Sequence, residues 1–163
     1  ATAVFNGISQ GSQPLLSDYY GKNDDKSVQK ILRLSIITGI AAAVLIILVT
    51  NLIPDVIVAV FNNENNAEMA SYAVFGVQLY FTGFLFAGFN IIGTGFLSAT
   101  ESAAWAFITS VLRGFVAISL CALLLSALFG MTGVWLAFPV AEVITAVLMV
   151  IAIAQNVRKM RTK

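Results

Sequence analysis

Two charged residues stand inside otherwise apolar stretches, and they are the side chains of this sequence best suited to ion chemistry. Arg113 interrupts the apolar run 103–128, and Glu142 interrupts the run 134–154. A charge near the centre of a membrane helix costs about 2.5–3.5 kcal/mol on insertion scales, so each needs a reason to be there. Two interpretations follow. Either the charges pair or are separately hydrogen-bonded, or Glu142, the only acid in a full span, takes part in proton or cation binding.

A polar stripe runs along the first helical stretch. Its members recur at steps of three or four and therefore share one helix face: Asn6, Ser9, Gln10, Gln13 and Ser17. Pro14 lies among them and removes the helical donor for the carbonyl of Gln10. A freed carbonyl in lipid needs a neighbouring partner or water. The stripe thus indicates a packed or water-lined polar site, or alternatively a helix end that frays at the membrane interface.

The composition excludes several classes of protein. The 163-residue chain is 59% hydrophobic and 10% charged, whereas soluble domains average about 25% charged residues. We therefore predict an integral membrane protein. One cysteine and no histidine exclude an internal disulfide and a His-ligated metal site, and Cys121 is interpreted as a packing residue. The net charge of +1 does not indicate nucleic-acid binding, and no cofactor is predicted.

The apolar segments predict an all-α membrane protein, a polytopic helical bundle with four complete transmembrane helices and the end of a preceding one. Each span reaches the roughly 20 residues that a bilayer crossing needs. The predicted parts are 1–17 (end of a helix), 18–33 (amphipathic cytoplasmic loop), 34–53, 71–99, 103–128 and 134–154 (spans), 54–70 (extracellular loop) and 155–163 (basic cytoplasmic tail).

The distribution of charge predicts the orientation of the bundle. Eight of the nine Lys and Arg residues lie within 22–33 and 158–163, and the loop 54–70 carries only acids. Because basic segments stay in the cytoplasm, we expect a multi-pass protein of the plasma (inner) membrane with a cytoplasmic carboxy-terminus. Four spans between two cytoplasmic ends have the parity that this rule requires.

The chain begins within a helix. It has no initiator Met and no signal-peptide pattern. At most 17 residues precede Asp18, fewer than the roughly 20 that span a bilayer. We therefore expect this sequence to be the carboxy-terminal part of something larger.

Three motifs resemble those of one transporter family. Residues 7–23, Gly-Ile-Ser-Gln-Gly-Ser-Gln-Pro-Leu-Leu-Ser-Asp-Tyr-Tyr-Gly-Lys-Asn, followed by Ile-Leu-Arg-Leu-Ser at 31–35, resemble the exit from the second helix of a lobe in multidrug and toxic compound extrusion (MATE) transporters. Residues 89–100, Phe-Asn-Ile-Ile-Gly-Thr-Gly-Phe-Leu-Ser-Ala-Thr, resemble the fourth helix of that lobe, and 133–142, Gly-Val-Trp-Leu-Ala-Phe-Pro-Val-Ala-Glu, its sixth. The loop spacing fits as well, so the resemblance covers nearly the whole chain.

The resemblance implies a fold of twelve helices in two six-helix lobes. Such transporters export cationic or lipophilic compounds against sodium or protons by alternating access. This chain would supply the end of helix eight and helices nine to twelve, which is most of one six-helix lobe. Its partners would be the amino-terminal lobe of the same transporter, the lipid bilayer and small organic cations or drugs. The coupling ion, Na⁺ or H⁺, would bind largely outside this chain, because 71–99 contains no acid.

The resemblance also implies a substrate cavity lined by polar side chains. The residues that would line this lobe's share of the cavity are Asn6, Gln10, Gln13, Gln78, Thr82 and Asn90. Three aromatic residues have two interpretations. Tyr80, Phe81 and Phe84 either stack on flat cationic substrates or pack within the protein and against lipid.

Other functions compete with drug export. A lipid-linked oligosaccharide flippase shares the broader superfamily but typically has several basic residues in its cavity, whereas Arg113 is the one intramembrane cation here. A membrane enzyme would need a cluster of His, Asp or Glu, so we predict that the protein is not an enzyme. A non-transporting structural membrane fragment is the remaining alternative.

Overall fold

The computed structural model describes residues 1–61 and 67–161, and every regular element in these ranges is a helix. The tip of the predicted extracellular loop, 62–66, and the last two residues of the basic tail lie outside the described residues. The helices are α1 (Thr2–Gly21), α2 (Asp25–Leu52), α3 (Pro54–Phe61), α4 (Ala67–Thr82), α5 (Phe84–Ala99), α6 (Ala103–Val111), a π-helical segment (Leu112–Ala117), α7 (Ile118–Phe129) and α8 (Met131–Arg161).

Most of the predicted cytoplasmic loop 18–33 is helical: residues 18–21 end α1, and residues 25–33 form one continuous helix, α2, with the first full span. Asp24 caps it: the carboxylate accepts hydrogen bonds from the Ser27 backbone N–H at 3.1 Å and the Ser27 hydroxyl at 2.6 Å. These bonds favour the ionised carboxylate and lower the pKa of Asp24 below its ordinary value. The helix continues for 28 residues because no proline interrupts it before Pro54.

The second span is interrupted once. The structure divides it at Gly83 into α4 and α5. A Cβ at Gly83 would lie 2.7 Å from the ring of Phe138 and 3.0 Å from the backbone of Pro139. The interruption therefore lies where α8 approaches too closely for a larger side chain.

The third span contains a feature that the hydropathy pattern did not predict. Between α6 and α7, residues Leu112–Ala117 form a π-helical turn that includes Arg113. A π turn accommodates extra chain within a helix and re-aims the side chains around it, and such turns are frequent at functional sites. The span as a whole runs from Ala103 to Phe129.

The fourth span is longer than predicted. It begins at Met131 and continues through the predicted tail to Arg161 as α8. The preceding turn depends on two glycines. Gly130 has a positive φ of 59°, and Gly133 packs against the backbone of Leu125 with no room for a Cβ. This close approach closes α7 and α8 into a tight hairpin.

Helix α5 lies at the centre of the bundle. Ten of its sixteen residues are buried, and it packs on α1, α2 and α8. Large apolar side chains of α2, α7 and α8 are instead exposed on the outside of the bundle, which suits contact with lipid. Among the described residues, four helical segments are long and apolar enough to cross a membrane. The predicted all-α polytopic bundle is confirmed.

Candidate functional site

Arg113 and Glu142 form an ion pair inside the bundle. The Arg113 Nε lies 2.8 Å from the Glu142 Oε1. Asn90 holds the other carboxylate oxygen, because its Nδ2 donates to Glu142 Oε2 at 2.7 Å and to the Glu142 carbonyl at 2.9 Å. Both carboxylate oxygens of Glu142 therefore have a partner. Asn90 is fully buried and Glu142 is 2% exposed.

Three different helices position this group. Arg113 comes from the π-helical turn, Asn90 from the middle of α5, and Glu142 from α8 three residues after Pro139. The Arg113 side chain is 27% exposed, so its guanidinium both pairs with Glu142 and remains partly accessible from outside the bundle. The Asn90 Oδ1 has no hydrogen-bond partner in the described part of the chain. One buried acceptor beside the ion pair is therefore unsatisfied there.

A polar cleft of about 250 Å³ opens next to Arg113, between α1, α5 and the third span. Four members of the predicted stripe line it: Asn6, Ser9, Gln10 and Gln13. The other residues that line the cleft are Ile91, Thr94, Gly95, Ser98, Ser110 and Arg113. Hydroxyl and amide groups thus surround a single guanidinium.

Close packing of α1 on α5 forms the floor of this cleft. The Ser9 hydroxyl donates to the carbonyl of Ile91 at 3.4 Å. A Cβ at Gly95 would overlap the Ser9 hydroxyl and lie 3.0 Å from the Gln13 side-chain nitrogen. Glycine at this position lets the two helices approach and brings the polar face of α1 against α5.

A second cavity of about 210 Å³ adjoins the ion pair. It is lined by Arg113, Gly114, Ile118, Phe138, Ala141 and Glu142. Arg113 therefore lines both spaces, the polar cleft and this mainly apolar cavity.

The sequence of the chain matches one family. The family model described as MatE matches residues 1–123. This chain belongs to the MATE family. The match confirms the family resemblance. It covers the first two motifs, at 7–23 and 89–100, and includes α1 to α6 and the π turn completely.

Two curated proteins are similar to this MATE chain. The Multidrug export protein MepA of Staphylococcus saprophyticus is 27% identical over 145 residues, which cover 88% of this chain and 31% of that protein. The protein of the same name from Staphylococcus haemolyticus is 29% identical over 147 residues, covering 89% and 31%. The chain thus spans about a third of the length of these relatives. No solved structure matches it significantly.

The structure separates the predicted cavity residues of this MATE chain into three groups. Asn6 and Gln10 are exposed and Gln13 is half-buried, all in the polar cleft. Asn90 lies beneath the cleft as the partner of Glu142. Two further candidates, Gln78 and Thr82, lie on α4 and do not line the cleft; the Thr82 hydroxyl donates to the carbonyl of Leu79 at 2.6 Å.

Two serines of the cleft were not predicted. Ser98 follows Thr94 by one helical turn on α5, and Ser110 precedes Arg113 by three residues. The spacing of Ser110 and Arg113 is a signal that they share a helix face. It was missed because single serines in apolar helices often bond to their own backbone.

The predicted aromatic residues pack on one another. Tyr80 stacks on Phe138 with ring centres 4.4 Å apart and an interplanar angle of 16°. Phe84 lies 5.0 Å from Phe81 and 5.3 Å from Phe138 and is buried. These contacts favour the packing interpretation for Phe84, while Tyr80 and Phe81 retain partly exposed faces.

The charges at the helix ends are arranged differently from the intramembrane pair. The Lys22 amine lies 2.6 Å from the Asp18 carboxylate one turn earlier, and this hydrogen bond raises the pKa of Lys22. Both side chains are more than half exposed, so the pair adds little stability. No group of three or more potential metal ligands occurs among the described residues.

Proposed function

We propose that the full-length protein containing this chain is a secondary active transporter that exports drugs or other organic, often cationic, compounds from the cell. The proposal is supported by membership of the MATE family and by the name that both relatives carry, multidrug export protein. Export would be driven by antiport of Na⁺ or H⁺, through alternating access of two lobes around a central cavity.

The polar cleft carries this proposal. Asn6 and Gln10 present exposed amides from a helix of an otherwise apolar bundle. Polar groups facing hydrocarbon are costly because lipid offers them no hydrogen bonds. We therefore propose that a second lobe covers this side of α1 and that the cleft forms part of a shared, water-filled cavity. Its amides and hydroxyls would hydrogen-bond substrates of varied shape.

The ion pair has a structural role in this proposal. Glu142 already has one oxygen bound to Arg113 and the other to Asn90, which leaves neither oxygen unpaired for a coupling ion. The site for Na⁺ or H⁺ would then lie mainly in the lobe outside this chain. Because Arg113 lines the cleft and is partly exposed, it would contribute positive potential there even though Glu142 pairs with it.

The orientation is part of the same proposal. Both basic clusters would face the cytoplasm of a bacterial cell, and the carboxy-terminus would be cytoplasmic in the inner membrane. The polar cleft would then lie within the bilayer, between the cytoplasmic exit of α1 and the outer loop.

The test is ethidium efflux from cells that express the full-length transporter. The variant with both Gln10→Leu and Gln13→Leu removes two cleft amides, and we expect its efflux rate to fall about fivefold or more, by the loss of one or more hydrogen bonds to substrate. Gln78→Leu is the control. It removes one side-chain amide of the same kind from α4, outside the cleft, and its effect should be smaller.

Two outcomes would contradict the proposal. Unchanged efflux in the double variant, at normal protein level, would remove the cleft from the transport path. An inactive wild type would favour the flippase or structural alternatives.

Repeating the assay with a sodium gradient alone and a proton gradient alone identifies the coupling ion.

A further inference from the structure

A basic groove lies on the outside of the bundle, separate from the polar cleft. Its volume is about 770 Å³, and it runs between the first turns of α2 and the last turns of α8. Lys26, Lys30 and Arg33 line one part of the groove, and Leu32, Ile37 and Val157 line the other. It shares no lining residue with the cleft.

The three cations share one helix face. Their positions differ by four and three residues, and Ile37 follows at the next step of four, so all four side chains lie one above another on α2. All three cations are exposed. None of them forms a salt bridge with any side chain that the structure describes. The groove therefore presents concentrated positive charge with no acid among its lining residues.

The apolar end of the groove continues onto the surface of α2 that suits lipid. Ile37 is 51% exposed, and exposed Ile40, Val44 and Leu48 follow it along the helix. A molecule bound in this groove would touch cations at the membrane surface and hydrocarbon side chains deeper in the bilayer. Lys and Arg side chains have the reach to place their charges at headgroup level while their stems stay on apolar surface.

We propose that this groove is a binding site for an anionic phospholipid. The phosphate would lie among Lys26, Lys30 and Arg33, and an acyl chain would follow Ile37 and the apolar face of α2. Basic pockets between membrane helices on the cytoplasmic side suit anionic headgroups. The apolar end of the groove favours a lipid over a free anion, because a soluble phosphate gains nothing from Ile37 or Val157. This site does not depend on the proposed transport function.

Native mass spectrometry of the purified full-length transporter tests the site directly. The probes are phosphatidylglycerol and phosphatidylcholine with identical acyl chains. We expect wild type to retain one phosphatidylglycerol in preference to phosphatidylcholine. In the variant K26Q/K30Q/R33Q, that retention should fall on the order of tenfold, since each surface cation contributes measurably to anionic lipid binding.

Two comparison variants keep the test specific. K22Q/R158Q/K159Q removes the same number of charges near the same end of the bundle but outside the groove, and it should retain phosphatidylglycerol. K26R/K30R/R33K keeps the charges and should also retain it. Equal losses in both neutralised variants, equal binding of the two lipids, or displacement of the lipid by millimolar inorganic phosphate would each overturn the proposal.

Discussion

The second and third membrane spans are both apolar enough to cross a bilayer, yet they occupy opposite environments. In the most apolar 18-residue stretch of each span, 44% is buried in the bundle for Tyr72–Ala99, against 11% for Ala103–Phe129. The buried span is the less hydropathic of the two. Hydropathy therefore indicates that a helix enters the membrane but does not indicate whether it faces protein or lipid.

Small residues account for the difference. In the second span, Gly88, Gly93 and Gly95 each sit where a Cβ would meet a side chain of α1 or α8. In the third span, a Cβ at Gly114 would meet nothing within 4 Å. Helices in lipid associate through close packing and polar contacts, because lipid is as apolar as leucine. Glycines against which a neighbouring helix packs closely thus mark the buried span.

The largest expected effect concerns the Arg113–Glu142 ion pair, which joins the third span to α8. Glu142→Leu leaves Arg113 without its partner and should lower the free energy of unfolding in detergent by about 2–3 kcal/mol. This figure is below the range for a fully buried pair because Arg113 is 27% exposed. The double variant Arg113→Leu/Glu142→Leu should recover most of the loss, since it leaves no unpaired charge. Equal losses in single and double variants would contradict the ion pair's structural role.

A smaller effect should separate the glycines of the two spans. Gly88→Leu must displace the ring of Phe5, which would lie 2.7 Å from the new Cβ, and overpacking of this kind costs about 1–3 kcal/mol. Gly114→Leu is the matched control and should change thermal stability little. If the two variants lose equal stability, the contrast between the spans does not come from glycine packing.

The smallest expected effect concerns the exposed side of the third span. Leu124 and Leu128 on α7 are 63% and 73% exposed. Replacing both by Ala should change the free energy of unfolding by less than about 0.5 kcal/mol, the usual range for exposed sites. A markedly larger loss in the full-length protein would assign this face to contact with another part of the transporter instead of lipid.

Much of the fold was predictable because the membrane imposes simple rules. Runs of about 20 apolar residues must form helices, since lipid offers no partner for backbone groups, and all four predicted spans occur in the structure. The boundaries were less predictable. The helix of α8 extends to Arg161 through the predicted tail, because a helix does not end where hydrophobicity ends; it continues until a capping or breaking residue intervenes.

The candidate site was predictable only in part. The periodicity of Asn6, Gln10 and Gln13 placed them on one face, and the structure brings them into one cleft. The family resemblance assigned Asn90 and Gln78 to the same cavity, although the first is a fully buried partner of Glu142 and the second lies on another helix outside the cleft. A helical repeat predicts which residues share a face, but it does not predict which neighbour that face meets.

The sequence by itself determined that this chain is a helical membrane protein of the MATE family, because hydropathy, span length and local motifs are properties of neighbouring residues. Only the tertiary structure decided that Arg113 binds Glu142, that Asn90 occupies the second carboxylate oxygen, and that Lys26, Lys30 and Arg33 share a groove with α8. These contacts join residues 29 to 131 positions apart in the chain. They accompany the π turn that includes Arg113 and the glycine-mediated packing of α5 against α1 and α8, which depend on how whole helices meet.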